Sequence, residues 1–365
     1  ERTPVIQGDM SHAHATIRPA TFADTAGVSD IVNARSLKFT GESNVTPEEV
    51  LHDWKEPGYD LGTNTRVVET ADGDLAALFE FFPDTGASVR HYGYGSIHPE
   101  RSAHVDTEAL VGWLLERARS EVPNAPEDGR VHLLVSSLDK DTELREMWER
   151  AGFAESRRFY QMRVDFTEES GSPTVPNGYT IRAMRPGEEW DTFVATHTAF
   201  QDHYGSVKRD PSEKEFEEFR HGLLGRDDHD PDLMLLAVAD PGEIAGVCLS
   251  TPSHGSMTDM GWVAALGVLP GHRKRGLGEA MLRRSFELFR AKGKSRAGLG
   301  VDATSLTNAT ALYERCGMHQ HRVSVQYDLV LRDGVELAKT EERLISRSRP
   351  LSHAQPVDRA EQRRG

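Results

Sequence analysis

The chain has 365 residues, 37 % of them hydrophobic and 28 % charged, with a formal net charge of −15. That length exceeds what one core usually serves, about 250 residues, so two globular domains are expected. The acidic balance disfavours nonspecific nucleic-acid binding, and no apolar run approaches the roughly 20 residues a membrane span needs. Cys248 and Cys316 are too few and too far apart for a disulfide scaffold or a structural zinc site, and they suggest a reducing cytoplasm. Residues 1–14 lack the apolar core of a signal peptide and read as a disordered or non-native lead, with Met10 a possible start.

In chain order, Ile17-Arg18-Pro19-Ala20 opens a strand, and Val28, Ile31 and Val32 mark a helix. Thr65–Thr70 and Leu75–Phe82 flank an Asp72-Gly73 turn and read as a hairpin. Gly93–Pro99 is strand-like, Thr107–Ala118 helical and Val131–Val135 a strand. Leu144–Ala151 is a helix stopped by Gly152, and a strand follows over Arg158–Phe166. Thr167–Asn177, rich in Glu, Ser, Gly and Pro, is a linker.

The second half replays this order. Tyr179–Arg182 matches the opening strand, Leu233–Ala239 and Ile244–Ser250 repeat the hairpin, and Trp262–Val268 reads as a buried strand. After Pro270-Gly271, the residues Ala280, Met281, Leu282, Phe286, Leu288 and Phe289 recur at helical spacing. A strand over Ala297–Val301, a helix over Asn308–Cys316 and a strand over Val323–Leu331 complete the half. Ile17-Arg18 and Ile181-Arg182 lie 164 positions apart, and Trp148-Glu149-Arg150-Ala151-Gly152 and Tyr313-Glu314-Arg315-Cys316-Gly317 lie 165 apart. The chain is a tandem duplication. Residues 333–365 are charged, start as a short helix near Val335–Leu344, and cannot build a core of their own.

Between the last apolar strand and its helix lies Arg273-Lys274-Arg275-Gly276-Leu277-Gly278. A strand, a glycine-bearing loop and a helix aim several free N–H groups and the positive helix end at one point. Three cations surround that point, and two residues without Cβ let a bulky anion approach. The run lacks the Gly-Lys-Ser/Thr of a P-loop and orders its glycines differently from a dinucleotide fingerprint. Arg273-x-x-Gly276-x-Gly278, preceded by Val268-x-Pro270, resembles the coenzyme A pyrophosphate loop of the GNAT acetyltransferase superfamily.

The resemblance spans about Ala15 to Leu331 and implies an α/β (α+β) fold of two tandem GNAT acyl-CoA N-acyltransferase domains. Each would be a mixed, mostly antiparallel central sheet flanked by helices, at residues 15–166 and 178–332, joined by the linker and followed by the charged tail. Within the superfamily the duplication, Val301-Asp302-Ala303 and the Leu312-Tyr313 helix look like the mycothiol-synthase type. By resemblance, Leu266, Gly267 and Val268 hold the pantetheine arm, with the Val268 N–H polarising the thioester carbonyl. Arg273, Lys274, Arg275, Gly276, Leu277, Gly278 and Glu279 grip the diphosphate. Tyr313 takes the place of the phenol that protonates the leaving sulfur; the alternative reading is a half-buried core tyrosine packing the last helix. The family's asparagine before that tyrosine is missing, and Ser305 or Asn308 would substitute. Asp259 or the Asp202-His203-Tyr204 cluster would supply a general base, and that cluster with Phe200 falls where the family lines its acceptor pocket.

Placing Pro99 on Pro270 sets Ser102, Val105 and Thr107 where the second half has Arg273, Gly276 and Gly278. Asp106 and Glu108 add negative charge there, and Trp148 stands in place of Tyr313. The first half is therefore expected to be degenerate. The expected activity is acetyl-CoA-dependent transfer to a primary amine of a small molecule, without a metal, in a cytoplasmic monomer or homodimer that binds neither nucleic acid nor membrane. The alternatives are acetylation of a cysteinyl amine and a non-catalytic acetyl-CoA sensor.

Overall fold

A computed structural model describes residues 15–167, 174–304 and 309–339. The first repeat runs β1 (Thr16–Arg18), α1 (Thr25–Thr40), α2 (Pro47–Trp54), α3 (Leu61–Asn64), β2 (Thr65–Glu69), β3 (Leu75–Phe82) and β4 (Arg90–Ile97). It ends with α4 (Thr107–Glu121), β5 (Val131–Leu138), α5 (Thr142–Arg150) and β6 (Ala154–Asp165). The second comprises β7 (Tyr179–Ala183), α6 (Glu189–Phe200), α7 (Glu213–Phe219), β8 (Met234–Ala239), β9 (Glu243–Thr251) and β10 (Met260–Val268). It closes with α8 (Leu277–Ala291), β11 (Arg296–Asp302), α9 (Ala309–Arg315) and β12 (His319–Arg332).

Local chemistry accounts for most of these elements. At α2, the Thr46 hydroxyl accepts from the Glu49 N–H while Glu49 reaches back to the Thr46 N–H, and Pro47 presets the first turn. In α8, Ala280, Met281, Leu282, Phe286 and Phe289 are buried on one face, and Arg284–Glu287 lies on the other.

The strands form one sheet in the order β1-β2-β3-β4-β5-β12-β6-β11-β10-β9-β8-β7. Each repeat thus takes the strand beside its fifth from the other. Tyr327 of β12 sits opposite Val135 of β5, and Met162 of β6 sits opposite Leu299 of β11. The cores follow the exchange. Val325 and Tyr327 are buried with Phe79, Leu133 and Trp148 of the first repeat, and Met162 with Leu236, Met281 and Phe289 of the second. Each such side chain is worth roughly 1.5–3 kcal/mol of burial, and every ladder bond of β6 and β12 adds to it.

The loop after α1 fastens the repeats on one face. Glu42 accepts from Arg322 at 2.6 Å and Arg296 at 3.0 Å and lies 3.0 Å from His321. Partial burial opposes its charge, but these partners win and hold its carboxyl down to about 2.

The start of the tail differs from expectation. Residues 335–339 form no helix; Val335 bridges to Gly129, Ala338 is fully buried, and Glu336 lies 3.0 Å from His132. Apolar contact and pairing with the first repeat outweigh local helix propensity there. Residues 1–14, 340–365 and most of the linker lie outside the described residues.

Because β6 completes the second core, a fragment beginning at Thr174 should show no cooperative thermal transition by circular dichroism. Co-expression with residues 15–167 should restore one. A fragment that melts cooperatively alone would contradict the exchange.

Candidate active site

The site starts from an irregularity in β10. Its register against β9 shifts between Val263 and Ala265, a bulge that bends the strand. Parallel pairing with β11 covers only Met260–Val263, so Leu266–Val268 diverge from β11 and leave a gap. The Leu269 N–H bonds the Ala245 carbonyl at 2.9 Å, and hydrogen bonding to the antiparallel neighbour alternates along a strand. The backbone N–H groups of Leu266 and Val268 therefore face the gap.

β10 leads into the glycine loop. Lys274 (φ 62) and Gly276 (φ 84) both take the left-handed conformation, which turns successive N–H groups to one side. Gly276 is the N-cap of α8, and no side chain caps that helix. The first-turn N–H groups of Leu277, Gly278 and Glu279 are thus left for an external acceptor. A Cβ on Gly278 would come 3.3 Å from Leu312 Cδ1 and 3.8 Å from Val268 Cγ2. The cradle, the end of β10 and α9 meet at this glycine.

Arg273 and Arg275 do not reach into the cradle. Arg273 donates to the Val268 carbonyl at 2.9 Å, to the Ala199 carbonyl at 3.0 Å and bidentately to Asp202. It fixes the geometry of the gap, and in return holds the Asp202 carboxyl below its usual range. Arg275 donates to the Tyr179 hydroxyl and the Gly271 carbonyl. Lys274 makes no ion pair among the described residues, and Glu279 accepts from Arg283 at 3.0 Å.

Tyr313 of α9 is 8 % exposed and lies in the core packed against α8, with Met281 and Phe286. Burial pushes its phenol up to about 12, with the nearby thiols of Cys248 and Cys316 adding to the shift. The phenol is protonated at any ordinary pH, the state required of a proton donor.

The opposite face belongs to α6. A Cβ on Gly267 would come 2.8 Å from Ala199 and 3.1 Å from Phe200, so α6 packs directly on the gap-forming strand. Phe200 contacts His203 edge to face at 4.7 Å. Burial holds the His203 imidazole below its ordinary value, and the charges of Asp202, Arg273, Asp302 and Lys339 act on it. It is neutral at neutral pH. Tyr204 does not open onto the gap: its ring lies over Arg157 at 3.7 Å and Arg90 at 5.0 Å.

Asp259 is not brought to this place. It precedes β10, nine residues or about 30 Å of strand from Val268. Partial burial opposes its charge, but hydrogen bonds from Arg296 and Ser295 hold its carboxyl below the usual range. Ser305 and Asn308 lie outside the described residues. Among the described residues no group of His, Cys, Asp and Glu is arranged to hold a metal, and no helix is long and apolar enough to cross a membrane.

Residues 193–318 match the acetyltransferase (GNAT) family, the segment that carries the gap, the cradle and Tyr313. A mycothiol acetyltransferase of Pseudarthrobacter chlorophenolicus is 27 % identical over 72 % of this chain and 83 % of its own. One from Salinispora tropica is 31 % identical over 48 % and 56 %. A GCN5-related N-acetyltransferase from Sphaerobacter thermophilus superposes with TM-score 0.73 at 29 % identity, over 90 % of this chain and 99 % of that one. A tandem GNAT protein from the clavulanic acid biosynthesis pathway, 14 % identical, shares the fold with TM-score 0.64 over 88 % and 100 %. The second repeat thus matches the GNAT acetyltransferase family, and the whole chain shares the fold of a tandem GNAT protein.

The two repeats differ at each feature that makes the gap. β4 pairs with β3 without a register shift from Tyr92 to Ile97, so the bulge is missing. Asp106 accepts from the Ala109 N–H and caps α4 with its own carboxylate, where α8 is open. The β4–β5 gap is filled. Arg35 of α1, 5 % exposed, donates to the Ile97 carbonyl at 2.9 Å and bidentately to Asp141 at 2.5 Å. Sequence reasoning missed this plug, though one sign was present: Arg35 continues the buried stripe of Val28 and Ile31 at helical spacing. Arg35→Ala strands the Asp141 carboxylate in the core and should cost about 3–5 kcal/mol of unfolding free energy. Urea denaturation showing under about 1 kcal/mol would contradict a buried plug.

Proposed function

We propose that this tandem GNAT protein transfers an acetyl group from acetyl-CoA to the primary amine of a small molecule, at the β10–β11 gap. The observation that carries the reading is the uncapped α8 N-terminus at the end of a bulged strand whose N–H groups face the gap. The residues present suit the donor. The N–H groups of Leu277, Gly278 and Glu279, with Lys274 beside them, would receive its diphosphate, and the Leu266–Val268 backbone its amide arm. We do not assign Arg273 a phosphate contact, because four of its five N–H donors are already engaged within the protein; its part is to hold Val268 in place.

In the chemical step the amine nitrogen attacks the acyl carbon and the C–S bond breaks. The Val268 N–H donates to the acyl oxygen as negative charge grows on it. Tyr313 gives its proton to the departing sulfur. His203, neutral and leaning on Phe200 beside Gly267, accepts the proton the amine must lose. Of the two base candidates this one fits; Asp259 stands about 30 Å along the strand, and Asp202 is tied to Arg273. A cysteinyl amine is the more specific acceptor reading, favoured by the mycothiol acetyltransferases among the relatives.

Thiol release from acetyl-CoA across an amine panel tests the activity. Tyr313→Phe should lower kcat by about 10²-fold or more while calorimetry shows the donor bound as before. Intact binding with no thiol release from any amine in the wild type would instead favour an acetyl-CoA sensor. Gly276→Val, which places a β-branched residue at φ 84, should weaken donor binding at least tenfold; unchanged affinity would misplace the cradle. The pH profile has a definite sign. His203 must be neutral to act and its folded pKa lies below the ordinary 6.5, so kcat/KM should be level above that pH and fall below it. His203→Gln should abolish this acid limb together with most of the activity.

A further inference from the structure

The loop 202–206 is pinned at both ends and in the middle by different parts of the chain. Asp202 is held by Arg273, which also grips Val268. The Gly205 N–H donates to the Lys339 carbonyl at 2.9 Å, and the Lys339 N–H to the Ser206 carbonyl at 3.0 Å. Between them Tyr204 is clasped by two guanidinium groups of the first repeat, Arg157 of β6 and Arg90 of β4. Both arginines are at most 8 % exposed. Arg157 also donates to Asp302 at 2.5 Å, and Asp302 is the last residue of β11, at the mouth of the gap. Arg90 Nε is buried without a hydrogen-bond partner, and Tyr204 meets this cation through both its ring and its hydroxyl. A buried cation held against an aromatic ring from another repeat fixes the angle of the loop carrying His203.

We propose that Arg90 and Arg157 are positioning residues for the acceptor side of the second repeat's site, acting through Tyr204. The first repeat, its own gap plugged, thereby contributes two cations that set where the amine meets the acyl group. This rests on the function proposed above.

The test uses the full chain. Arg90→Met and Tyr204→Leu should raise the acceptor KM at least tenfold and leave the acetyl-CoA dissociation constant within twofold by calorimetry. Tyr204→Phe, which keeps the ring, should recover most of the Tyr204→Leu loss, and Arg90→Lys part of the Arg90→Met loss. An unchanged acceptor KM in Arg90→Met overturns the proposal. So does a Tyr204→Phe variant as impaired as Tyr204→Leu, which would take the role from the ring and give it to the hydroxyl that also meets Arg90. Amide hydrogen exchange over residues 202–206 separates this from the parent reading, since it needs no turnover. Exchange at least tenfold faster in Arg90→Met and Tyr204→Leu supports the clasp even with no acceptor found, and unchanged exchange removes it.

Discussion

The bulge at Ala264 is the constraint from which the site follows. It ends the pairing of β10 with β11 at Val263 and frees the backbone of Leu266 and Val268 on one edge. A free strand edge in a protein interior is costly unless something accepts its hydrogen bonds. One carbonyl, that of Val268, is satisfied internally by Arg273; the N–H groups are left for a ligand. The first repeat removes the same liability differently. Its β4 runs straight, its helix caps itself, and Arg35 with Asp141 occupies the opening. Two copies of one fold thus treat the same edge differently, one leaving its N–H groups open and the other closing it with a salt bridge.

The exchange of β6 and β12 makes the duplication more than two domains side by side. Each core includes side chains from the other repeat, so folding of one half depends on the other. The same arrangement carries residues of the first repeat to the second repeat's working face. Arg157 reaches Asp302 because β6 runs on past the end of β11. A half with a plugged gap therefore still supplies a strand to the other half's core.

Much of this was legible in the sequence where the governing interactions are local. The β10–loop–α8 unit announces itself through Pro270, the three cations, two glycines and the apolar spacing of Ala280 to Phe289. The degeneracy of the first repeat shows in Val105 and Asp106. Strand partners are a different matter. β6 and β12 carry patterns equally suited to either neighbour, and the choice rests on contacts more than a hundred residues away. Asp259 looked plausible because it adjoins the central strand; only the length of β10 shows it at the wrong end. Tyr204, by contrast, is on the expected loop, but its ring is spent on two arginines that no local pattern links to it.

The most direct measurement is a crystal structure of the full chain grown with acetyl-CoA. The account predicts the diphosphate about 3 Å from the N–H groups of Leu277, Gly278 and Glu279, the thioester beside Val268, and no donor between β4 and β5. A diphosphate seated at the start of α4, or anywhere away from α8, would contradict it.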